Sequence, residues 1–149
     1  MLIVGNHVSQ HPNDKQEVEP ALAELDKLPE SLGKVEKAAL DSGFFSEHNT
    51  KRFDAKGIGP YIASDRQTHY PSLEERFAAP PLPPRNPDVL AAMKHRLKTD
   101  AGKQFYAQRK STVEPVFGII EEVMGFRRFM LRGFKAVAGE WTLSVLPSI

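Results

Sequence analysis

Two carboxylates in this 149-residue chain stand where a metal ion could be held. Asp41 follows the apolar run Ala38-Ala39-Leu40, at the end of an expected strand over Val35–Leu40. Open α/β sheets place their ligand sites at such strand ends. Glu114 lies in "YAQRKSTVEPVFGIIEEVMGFRRFMLRG", with Gly118 and Glu121 one and two helical turns further along the same face. A glycine at 118 leaves a gap beside the carboxylate, with room for a metal ion, a phosphate or another chain. Each acid also has a purely structural explanation. An aspartate after a strand can simply form the turn, and Ser111-x-x-Glu114 has the spacing of a capping box at a helix start, next to Pro115. Spacing alone leaves both explanations open.

Other chemistries find less support. The five histidines include His7 and His11, four apart but expected to straddle a strand end and a proline turn, so no zinc cluster is visible. There is no cysteine, hence no disulfide framework and no thiolate ligand or nucleophile, which fits a reducing cytoplasm. Neither a glycine-rich phosphate loop nor a nucleophile elbow occurs. In "GFRRFMLRGFK", Phe126, Phe129 and Phe134 interleave with basic residues, a pattern that suits base stacking. The expectation favoured here is that these phenylalanines are core and the arginines their solvent-facing neighbours.

The elements that would position these groups can be read in order. Leu2–Val8 is β-rich and reads as a strand, followed by a turn at "SQHPND". Val18, Leu22, Leu25 and Leu28 have helical spacing, giving a helix over about Asp14–Leu28 with Pro20 in its first turns. Val35–Leu40 is apolar enough for a strand covered on both faces. Ser46 caps a helix towards Ala55, and "GIGPYIA" is a third strand, parallel to the second. Residues 64–88, with five of the chain's 12 prolines in "AAPPLPPRNP", read as an extended, mobile insertion. Asp88 caps a helix over "VLAAMKHRLKT", and another runs from Asp100 to about Lys110. Val116, Ile119, Ile120 and Val123 mark the buried face of the next helix, and a last amphipathic segment spans Gly133–Leu146. This order is α/β with a helix-rich C-terminal part.

The size is that of one domain, and no apolar run approaches the roughly 20 residues of a membrane span. The net charge of +1 conceals an asymmetry: residues 1–93 carry 10 Lys/Arg against 14 Asp/Glu, and residues 94–149 carry 10 against 5. The basic C-terminal part points to a polyanion such as nucleic acid, or to an ordinary solvated surface.

The segments "IVGNHVSQHPNDKQEVEPAL", "LDSGFFSEHN" and "YAQRKSTVEPVFGIIEEVMGFRRFMLRGFKAVAGEW", in this order, resemble the C-terminal part of the DDE transposases of bacterial insertion sequences. The resemblance implies a ribonuclease H-like catalytic fold and DNA cleavage and strand transfer with two Mg²⁺ ions, which carboxylates suit as hard oxygen ligands. It matches Asp41 to the second acidic residue of the triad and Glu114 to the third, both as metal ligands. It matches Tyr106, Arg109 and Glu114 to the signature on the last catalytic helix. Arg109, Arg127, Arg128, Arg132 and Lys135 would face DNA, with Tyr106 beside them. The implied partners are transposon-end DNA and full-length transposase subunits, in the bacterial cytoplasm at the nucleoid, with no membrane.

Three departures qualify the match. No residue fills the place of the family's first aspartate, so the expected fold is an incomplete ribonuclease H-like one lacking its first two strands. Glu121 stands where the family signature usually has a lysine, and "SVLPSI" ends the chain where the family continues through a longer helix, as after a frameshift or early stop. The expectation is therefore a truncated transposase that is inactive alone and that is either poorly folded or self-associating through unpaired strand edges. The alternatives are a non-enzymatic fragment that binds DNA or inhibits a full-length subunit, and a small Mg²⁺-dependent nuclease using Asp41, Glu114 and Glu121.

Overall fold

The computed structural model describes residues 3–64, 72, 74, 79 and 81–145. The chain divides into two compact units, one of residues 1–34 and 108–149, the other of residues 35–107.

The second unit is built on a β–α–β element. Strand β1 (Lys37–Leu40) pairs in parallel with β2 (Gly59–Ile62), in a register running from Lys37 opposite Gly59 to Leu40 opposite Ile62. The parallel pairing expected from the sequence is therefore present. Between the strands lies helix α2 (Glu47–Ala55), capped as expected by Ser46, whose hydroxyl accepts from the Asn49 N–H at 3.0 Å. The N–H groups of Gly59 and Ala63 donate to Glu36 and Leu40 of the β1 side. Pro60, one residue out of phase, turns its missing donor away from that ladder, the placement a strand proline requires. Phe53, Ile58, Ile62 and Met93 close a small core. Met93 belongs to helix α3 (Val89–Lys98), which Asp88 caps through the Ala91 N–H at 2.6 Å.

Helix α4 (Asp100–Gly118) follows α3 after one residue, Thr99. Gly102 makes this tight connection possible. Its N–H donates to the Thr99 hydroxyl at 3.0 Å, and a Cβ there would fall on the Arg96 carbonyl. Arg96 in turn donates to the Pro60 carbonyl at 2.8 Å and lies over the Tyr61 ring.

In the first unit, residues 3–13 have no helix or strand, against the strand expected over Leu2–Val8. Side chains hold this segment instead of a β-ladder: His7, Ser9 and His11 all meet Glu17, and the Thr142 hydroxyl donates to Asn6. The helix expected over Asp14–Leu28 is shorter, a 3-10 turn at Asp14–Glu17 and then α1 (Val18–Leu25), with Pro20 in its first turn. Among the described residues of this unit, Val18, Leu22, Ile120 and Val145 are the buried apolar side chains.

Three further expectations are corrected. The strand placed over Val35–Leu40 is confined to Lys37–Leu40, with Lys37 exposed and the other three residues only half-buried, so it is not covered on both faces. No helix starts near Pro115. Helix α4 runs through it, and Ser111 and Thr112 bond back to the Gln108 carbonyl instead of capping a new turn. The helix then widens into a π turn, Ile119–Val123, where the Met124 N–H reaches Ile119 five residues back. Because that wider turn rotates the side chains after it, only Ile120 of the expected apolar face is buried, while Ile119 and Val123 are 47% and 79% exposed. Most of the proline-rich stretch 64–88 lies outside the described residues, and residues 81–87 form neither helix nor strand.

Candidate nucleic-acid interface

Helix α4 carries Tyr106, Arg109 and Glu114 on one uninterrupted element. The Tyr106 hydroxyl donates to the Leu40 carbonyl at 3.2 Å, which ties the helix to the end of β1 within the second unit. Asp41 is the next residue after β1 and caps the 3-10 turn Ser42–Phe44 through its backbone, its carbonyl accepting from the Phe44 N–H. Asp41 and Glu114 are both exposed and belong to different units. Gly118 does leave open space, since a Cβ built there meets nothing within 4 Å.

As hard oxygen donors these carboxylates are the right type for Mg²⁺. Among the described residues, however, no three His, Asp or Glu side chains come together as a metal site. Among the described residues these carboxylates therefore form no complete donor set for a metal pair.

A loop from Met124 to Gly133 joins the π turn to the last helix, α5 (Phe134–Val145). Gly125 and Gly133 bracket it with φ of +68° and +88°, left-handed conformations that a side chain would strain. Between them Arg127, Arg128 and Arg132 are exposed, as is Lys135 on the first turn of α5. Glu140 of α5 fixes the loop: its two carboxylate oxygens accept from the Met130 and Leu131 N–H groups at 2.8 and 2.9 Å. Arg127 pairs with Glu122 at 2.7 Å, but both side chains are about two-thirds exposed, so the pair contributes little and can exchange for another anion.

The phenylalanines of this loop are not the core side chains expected from the sequence. Phe126 is half-buried, while Phe129 and Phe134 are 45% and 52% exposed. Phe126 and Phe129 pack with Trp141 of α5, with ring centroids 5.4 to 6.4 Å apart. These rings line a cavity of about 410 Å³, along with His7, Phe117, Glu121 and Arg128.

Residues 83–147 match the family model described as the transposase DDE domain. Over these residues the chain is similar to that family. No curated protein and no solved structure matches it. The matched segment contains Tyr106, Arg109, Glu114, the arginine loop and Glu140, whereas Asp41 precedes it. No helix among the described residues is long and apolar enough to cross a membrane.

Sequence reasoning missed Glu17. Its carboxylate takes His7 Nε2 at 2.7 Å, the Ser9 hydroxyl at 2.6 Å and His11 Nδ1 at 2.8 Å. The Ser9 hydrogen bond is the largest cause that lowers its pKa; partial burial works against it, and the histidines add to the lowering, so Glu17 titrates at about 2 rather than 4.5. The alternation His7, Ser9, His11 was the available signal, because side chains two apart in extended chain share a side.

Proposed function

We propose that this chain is the DNA-holding part of a DDE transposase of a bacterial insertion sequence, with a ribonuclease H-like ancestry and a nucleoid location. In this reading Arg127, Arg128, Arg132 and Lys135, with Arg109 and Tyr106 on α4, hold transposon-end DNA. Asp41 and Glu114 are the acids that such a transposase uses with Mg²⁺. The chain alone binds DNA without cutting it, and within an assembly it engages full-length transposase subunits.

One observation carries the reading. A segment of the transposase family presents three exposed arginines on a loop set by two left-handed glycines and by the Glu140 carboxylate. Exposed guanidinium groups on a fixed loop suit phosphate, which they can meet with paired hydrogen bonds. The experiment is incubation of the whole chain with labelled duplex DNA and with supercoiled plasmid, each with Mg²⁺. The expected result is a shifted duplex and an intact plasmid. Nicking that disappears in Asp41→Asn would replace this reading with that of a metal-dependent nuclease. Failure to bind DNA at low salt would remove it altogether.

A further inference from the structure

The cavity of the first unit differs from the exposed arginine loop in what it offers a ligand. Its walls are aromatic, from Phe117, Phe126, Phe129 and Trp141, and charged groups of both signs stand at it, Arg128 and Glu121. Phe117 and Phe129 keep about half their surface open to solvent. Neither Glu121 nor Arg128 has an ion pair among the described residues. A site meant only for phosphate would not put a carboxylate in its wall, because like charges repel there. A planar ligand with an apolar face, an N–H edge and an adjoining phosphate matches all three features together.

We propose that this cavity takes one unstacked nucleobase of a DNA strand, stacked on Phe129 beside Trp141, with its N–H edge donating to Glu121 and its phosphate facing Arg128. The proposal rests on the DNA-holding reading above and extends it from the backbone to a base. The volume of about 410 Å³ is within the range of ligand cavities and suits one base with its sugar. Ring packing sets the stacking surface: Phe129 meets Phe126 edge-on at 81° and Trp141 at 72°, so neither neighbour covers both of its faces. The Glu121 carboxylate accepts and cannot donate, so it selects bases with N–H groups on their pairing edge. Guanine, with a ring N–H and an amino group side by side, gives the two parallel hydrogen bonds that a carboxylate accepts best. Glu121 thus acquires a role of its own where the resembling family usually has lysine.

The test uses the whole chain and the fluorescence of Trp141, its single tryptophan. The probes are ten-unit abasic deoxyribose-phosphate strands carrying one central guanine, one central thymine or no base. The guanine strand is expected to quench Trp141 and to bind about 5- to 150-fold tighter than the base-less strand, the range of one base stacked on one aromatic ring. Phe129→Leu, which keeps an apolar side chain but removes the ring, is expected to erase that advantage. Glu121→Gln, a change at an exposed position, is expected to bring the guanine strand down towards the thymine strand, while base-less binding, relieved of a like charge, does not weaken. Equal binding of the guanine and base-less strands, without quenching, overturns the proposal while the DNA-holding reading stands. Binding of none of the strands at low salt overturns both.

Discussion

Replacing Glu17 by glutamine tests how the segment before α1 is held, and the structure fixes both size and pH window. The Glu17 side chain is 14% exposed and accepts from His7, Ser9 and His11. A carboxylate that titrates at about 2 instead of 4.5 is favoured in the folded chain by about 3 kcal/mol, at roughly 1.4 kcal/mol per pH unit. His11 is half-exposed, and solvent screening there reduces the expected effect to about 2 kcal/mol. The sign follows from the lowered value. The unfolded chain takes up the proton first, so the stabilisation is whole above pH 4.5 and drains away as pH falls towards 2. Trp141 lies in the same unit and reports its unfolding. Urea unfolding followed by its fluorescence should give the wild type an advantage of about 2 kcal/mol over Glu17→Gln from pH 7 to 5, shrinking to a few tenths near pH 2. A difference that is absent at pH 7, or that persists unchanged to pH 2, would refute the assignment of Glu17 as the hub of this segment.

Two glycines of α4 should respond in opposite ways. Gly102→Ala drives a methyl into the Arg96 carbonyl and should cost about 2 kcal/mol or more, whereas Gly118→Ala meets open space and should gain about 0.5–1 kcal/mol of helix propensity. Thermal melts by circular dichroism compare them directly, and equal shifts would contradict the close α3–α4 connection. Tyr106→Phe removes the hydrogen bond to Leu40 and should destabilise by about 1 kcal/mol, seen in the same melts. Each strand of the sheet has one paired edge among the described residues, and Met130, Leu131 and Leu143 are more than half exposed. Sedimentation velocity should therefore show association that grows with protein concentration, and a monomer at all concentrations would contradict this.

What could be read from the sequence followed local chemistry. Ser46 and Asp88 announced their helices because a short oxygen side chain before a helical run satisfies free N–H groups at once. The parallel β1–β2 pair was legible from the helix between two short apolar runs. Pro115 misled because proline usually marks a helix start, yet here the helix continues through it to Gly118 and then widens into the π turn. The apolar face expected over Val116–Val123 failed because the wider π turn breaks the helical period. Residues 3–8 have β-rich composition but no partner strand among the described residues, and hydrogen bonds with Glu17 and Thr142 hold the segment through His7 and Asn6. For the site, the arginines could be read as exposed neighbours of aromatic residues. The cavity could not, because it depends on Phe126, Phe129 and Trp141 meeting across the loop that Glu140 fixes.

The salt dependence of duplex binding tests the central claim most directly. Wild type and the double variant Arg127→Ala, Arg128→Ala would be titrated with one labelled duplex over a series of salt concentrations. If these arginines hold phosphates, the slope of log K against log salt should fall in magnitude by nearly 2, about 0.9 for each lost contact, with weaker binding throughout. Identical slopes and affinities for the two proteins would contradict the account and place the DNA contacts elsewhere on the chain.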